Sequence, residues 1–145
     1  MRRLAFVLVL TLALAACGSS HKKSSSGPSG PSAQAQIRSA YVKFFAGKTS
    51  LSDRVALLQN GSQFRPVIKA FANNPLAKNV SATVSSVALQ GRNKAKVVYQ
   101  VKFAGTSLPK QTGTAVRQDG TWKVGFASLC KLVSLGGTTP SACKS

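Results

Sequence analysis

The sequence predicts an α+β domain in which N-terminal helices pack on a four-stranded antiparallel sheet and a short helix closes the chain. Three observations predict it. Apolar residues recur with a period near 3.6 between Ile37 and Phe71, the period of a helix with one buried face. They recur with a period of 2 between Val80 and Phe126, the period of half-buried strands. An Asp119-Gly120 pair inside that second region marks a tight hairpin, since both residues accept positive φ at low cost.

The elements follow in order. Ile37, Tyr41, Phe44 and Phe45 form one stripe of a first helix, and Gly47 ends it. Ser50-Leu51-Ser52-Asp53 has the spacing of a capping box, and Leu51, Val55 and Leu58 continue a second helix up to Asn60-Gly61. Ser62 is the expected cap of a third, with Pro66 in the first turn and Phe64, Val67, Ile68 and Phe71 on one face. Val80, Ala82 and Val84 alternate, then Val87 and Leu89 fall on the other face, which predicts a bulge or a strand covered on both sides. Gly91-Arg92-Asn93 turns the chain into the most regular strand, Ala95 to Phe103. Lys110 to Gln118 predicts a third strand and Trp122, Val124 and Phe126 a fourth. A short helix near Ser128 to Leu135 stops at Gly136-Gly137. A core of this size suits one domain, residues 33–145.

Residues 1–16 are expected to be a targeting segment and not part of the fold. Arg2 and Arg3 precede an apolar run from Leu4 to Leu14, too short to span a bilayer and the right length for a signal peptide. Leu14-Ala15-Ala16-Cys17 resembles a bacterial lipobox, which implies cleavage before Cys17, a diacylglycerol on its sulfur and tethering to the outer face of a cell membrane. The alternative is ordinary cleavage after Ala15 or Ala16, leaving Cys17 a free thiol. Residues 17–32 then supply the anchor and a Ser/Gly/Pro linker without apolar residues to bury. Cys130 and Cys143 remain as a pair, in a compartment where disulfides persist.

Charge and residue inventory narrow the function. The 145-residue chain holds 20 Lys and Arg against two acidic residues, a net charge of +18. Loss of Arg2 and Arg3 leaves +16, which favours an anionic lipid or a phosphorylated wall polymer; export argues against nucleic acid. Arg92, Lys94, Lys96 and Lys102 are the candidate anion-binding residues: the three lysines share one face of the most regular strand, and Arg92 precedes them. The alternative is a solvated face whose lysines deter edge-to-edge pairing. No metal or cofactor is expected, and no catalytic residues are assigned. The single histidine, His21, lies in the linker, while Asp53 and Asp119 have structural uses at a helix start and a hairpin. Nor is there a nucleophile elbow, a phosphate-binding glycine loop or a metal-ligand spacing. The inventory therefore predicts a non-enzymatic envelope lipoprotein that binds an anionic component or a partner protein. The second reading is a carrier of a small apolar molecule or lipid, lined by Phe44, Phe71, Tyr99, Phe103 and Trp122.

Four segments together resemble the mycobacterial low-molecular-weight antigen family of exported actinobacterial proteins. They are Tyr41-Val42-Lys43-Phe44-Phe45, Ser52 to Gly61, Asp119-Gly120-Thr121-Trp122-Lys123-Val124, and the tail with Cys130 and Cys143. The resemblance implies a cone-shaped fold of the cystatin or nuclear-transport-factor-2-like kind, with helices closing one side of a curved sheet. It implies a C-terminal disulfide and no established enzymatic activity. Cone folds often pair through their sheets, so a homodimer is the analogous expectation.

Overall fold

The computed structural model describes residues 31–135, 137 and 139–144. The targeting segment, Cys17 and most of the linker lie outside these residues.

Helix α1 spans Ala33–Phe45, α2 Leu51–Leu57 and α3 Arg65–Ala72. Strands follow at Val80–Leu89 (β1), Lys94–Phe103 (β2), Thr106–Ser107 (β3), Gln111–Gln118 (β4) and Thr121–Val124 (β5), and then helix α4 at Phe126–Ser134. Single 3-10 turns stand at Pro75–Asn79 and Ser141–Cys143. The strands form a curled antiparallel sheet of order β1-β2-β4-β5, with the two-residue β3 added beside the end of β2. This is the α+β architecture that the change of period predicts.

Caps start the first two helices. Ser32 Oγ accepts from Ala35 N at 3.2 Å, and Ser50 Oγ accepts from Asp53 N at 3.1 Å while donating to Asp53 Oδ2 at 2.7 Å. Each cap answers an N–H that the first turn leaves without a partner. The third helix differs from expectation. It begins at Arg65 rather than after Ser62, because Gln63 N and Phe64 N first close tight turns onto Asn60 O and Gly61 O. The expected bulge in β1 is present as a register shift between Val84 and Ser86. Arg38 of α1 donates to the Val84 carbonyl there at 2.7 Å. The last strand is shorter than expected. Gly125 N bonds Thr114 O, the chain turns, and Phe126 becomes the first residue of α4, stacked 5.4 Å from Phe64.

The helical layer is laid on the inner sheet face. Ile37, Tyr41, Phe44 and Phe45 of α1 meet Ala95, Val97, Tyr99 and Val101 of β2, all at most 3% exposed. Four rings organise the centre. Phe45 stacks on Tyr99 at 5.5 Å and 14°, meets Phe44 edge-on at 4.9 Å, and Tyr41 sits 5.0 Å from Tyr99. The Tyr41 hydroxyl donates to Thr114 O at 2.6 Å and shares a 3.0 Å bond with Ser128 Oγ, which accepts from Thr114 N at 3.1 Å. Buried polar groups are stable only when answered in this way. The close approach needs Gly113. A Cβ there would fall 2.7 Å from Tyr41 Oη and 2.9 Å from Tyr99 Cε1, besides meeting Ser128 Oγ. The network thus ties α1, β4 and α4 together and fixes where α4 lies.

Candidate functional site

An apolar cleft of about 770 Å³ opens between α3, the β2–β3 corner and α4. Its first wall is a broad face of α3, Pro66, Val67, Ala70 and Phe71, with Asn74 just beyond the helix end. The sequence places Phe64, Val67, Ile68 and Phe71 on one core-facing stripe, and the structure divides that stripe. Phe64 and Ile68 enter the core at 4% and 1% exposure, while Val67 and Phe71 remain half-buried and turn to the cleft. The second wall is Phe103 and Leu108, held by the Leu108 N to Val101 O bond across the β2–β3 corner. The third is Leu132, Val133 and Leu135 from the end of α4, with Pro140 and Ser141 from the tail. The Cys130–Cys143 disulfide, Cα–Cα 5.5 Å, pins that tail to α4.

Two of the five residues expected to line a cavity do so, Phe71 and Phe103. Phe44, Tyr99 and Trp122 do not. They are 3%, 0% and 5% exposed and belong to the solid core beneath the sheet. The expected cavity lies between the helices and the sheet, but the ring cluster of α1 and β2 fills that space. The cleft lies to one side, where α4 is more apolar than its single core residue Leu129 requires. That excess was the sequence signal: Leu132, Val133 and Leu135 follow Leu129 in a helix of nine residues and its cap.

The basic residues take a different place. Arg92 is in the β1–β2 turn, and Lys94, Lys96 and Lys102 are exposed on the outer face of β2. Because β2 pairs with β1 on one side and β4 on the other, Lys94 and Lys96 do not guard a sheet edge. Nor do the three lysines make one compact site. At about 3.3 Å per residue, Lys94 and Lys102 stand about 26 Å apart, well beyond the Debye length at physiological salt. Lys96 instead joins Lys131 of α4, Gln90, Thr112 and Thr114 around a recess of about 300 Å³.

The remaining ionisable groups have structural settings. Asp53 is exposed and bonded to the Ser50 cap, and Asp119 makes a 3.9 Å ion pair with Lys123 at the hairpin. Burial raises the Tyr41 phenol above its ordinary value and pushes Tyr99 up to about 12, the reverse of what a proton-transfer group needs near neutrality. Arg54 was not singled out in the sequence. It is 1% exposed, its Nη2 donates to Ala46 O at 2.7 Å, and its guanidinium carbon lies 5.3 Å from the centroid of the Phe71 ring. Burial lowers its proton affinity from the usual arginine value.

No curated protein matches the chain. Among solved structures, a Campylobacter jejuni protein described as a candidate NTF2-like transpeptidase is similar at 10% identity and a TM-score of 0.40, over 61% of this chain and 92% of that one. The family model described as low molecular weight antigen MTB12, C-terminal domain, matches residues 30–140. That match spans both walls of the cleft contributed by helices and all five strands, and the chain belongs to the low molecular weight antigen MTB12 family.

Proposed function

We propose that this protein is a non-enzymatic binder of anionic amphiphiles, held at the outer face of a cell membrane by a lipid on Cys17, with the cleft receiving an apolar chain. The observation that carries the reading is the cleft itself: about 770 Å³, with Val67, Phe71, Phe103, Leu108 and Leu132 among its walls. That volume lies within the ordinary range for small-molecule sites, which are mostly apolar. Charge selects the class of ligand. Neither Asp53 nor Asp119 borders the cleft, whereas Arg65, Lys69 and Lys131 directly adjoin lining residues in sequence. The net positive field attracts anionic amphiphiles and repels cationic ones.

A binding role on the outer face of β2 is the other reading, favoured by the exposure of Lys94, Lys96 and Lys102. Titration with a fluorescent long-chain fatty acid separates the two. Ala70→Trp, which fills the cleft from the exposed side of α3, is expected to weaken binding at least about tenfold, since each excluded methylene forfeits about 0.8 kcal/mol. Combined Lys94→Gln, Lys96→Gln and Lys102→Gln is expected to change it less than about threefold. The reverse ranking assigns binding to the sheet face. Membrane fractionation and intact mass of the full chain test the anchor: an unlipidated soluble product removes that part of the reading.

A further inference from the structure

We propose that Arg54 is the head-group site of the cleft, receiving the carboxylate of a fatty acid whose chain lies between α3 and α4; this rests on the apolar-chain reading above. A buried guanidinium is ordinarily paired with a carboxylate, because an unpaired charge in a low-dielectric interior is costly. Among the described residues no carboxylate pairs with Arg54. Asp53 faces its own helix cap and Asp119 its hairpin lysine, and the chain has no other acidic side chain. Ala46 O answers one donor of Arg54, and Nε and Nη1 are buried with no hydrogen-bond acceptor among the described residues. Arginine has five N–H donors and cannot shed its charge near neutrality, so these groups call for oxygen atoms that the described residues do not supply.

Position connects this deficit to the cleft. The guanidinium carbon sits 5.3 Å from the centroid of the Phe71 ring, and Phe71 is itself a wall of the cleft. An aromatic face partly offsets the charge but offers no lone pair to an N–H. Phe71 is half-buried near the C-terminal end of α3 and stands between the guanidinium and the cleft, so its side chain must change rotamer for a carboxylate to reach the unanswered donors. The ligand this arrangement fits has a long apolar chain and a single terminal carboxylate, because the buried guanidinium carries one positive charge.

Comparison of palmitic acid with its methyl ester, by displacement of a neutral fluorescent lipid probe at 150 mM salt, tests the assignment. The native domain is expected to bind the acid about tenfold or more tightly than the ester, the range of a buried charge-assisted hydrogen bond. Arg54→Met, an unbranched apolar replacement whose fold is checked by a cooperative melt, is expected to bind the two within about twofold. Equal binding by the native domain overturns the role of Arg54 and leaves the cleft reading standing. A preference that persists in Arg54→Met also overturns it and places the discriminating charge on the surface. Failure of both ligands to bind the native domain removes the cleft reading and this proposal with it.

Discussion

Phe45→Ala is expected to lower the melting temperature by at least about 12 °C. Phe45 is 1% exposed and lies at the junction of three other rings, stacked on Tyr99 and edge-on to Phe44, with Tyr41 6.1 Å away. Truncating a buried phenylalanine costs about 3–5 kcal/mol, from lost transfer energy and from the cavity left behind. A domain of this size shifts by about 4–8 °C per kcal/mol. Against a total stability of about 5–15 kcal/mol the loss is large. The neighbouring Val42→Ala is the control. Val42 is 45% exposed, so its truncation is expected to stay within about 0.5 kcal/mol. Thermal melts of the two variants check the assignment of helix phase in α1. Equal melting temperatures would mean that α1 does not present this face to the sheet.

Reduction of Cys130–Cys143 is the second large effect. The bond joins residues 13 apart, and the chain-entropy model assigns a loop of that size about 3 kcal/mol. Its consequence extends to the site, since Pro140 and Ser141 form part of the cleft wall and the bond holds that tail on α4. The double variant Cys130→Ser, Cys143→Ser is therefore expected both to melt at a lower temperature and to bind apolar ligands more weakly. An unchanged melting temperature would place the tail outside the cooperative unit.

The fold was legible where period and cap agreed. The alternation in β2 is strict because one of its faces packs on α1 and the other meets solvent, and Ser50 and Asp119-Gly120 act locally. The β1 bulge was legible too, as a switch of apolar phase between Val84 and Val87. What sequence could not assign was the destination of an apolar side chain. Phe64 and Phe71 obey the same helical spacing, yet one stacks on Phe126 inside the domain and the other borders a cleft. Whether α4 covers that face of α3 or leaves a gap is a matter of tertiary placement, set by the Tyr41–Thr114–Ser128 network across three elements. Phe126 continues the alternation of Trp122 and Val124 in sequence, but the strand ends at Val124, where the Gly125–Thr114 bond precedes the turn into α4. Arg54 escaped notice because an arginine next to Asp53 on a short helix reads as surface. Its burial follows from α2 packing beside α3.

A chain-length series of saturated fatty acids from eight to sixteen carbons measures most directly whether the cleft takes an apolar chain. If the chain is buried between α3 and α4, binding free energy improves by about 0.8 kcal/mol for each added methylene until the cleft is full, then levels off. A flat series, with eight carbons binding as tightly as sixteen, would show that only the charged end is recognised and would contradict the account.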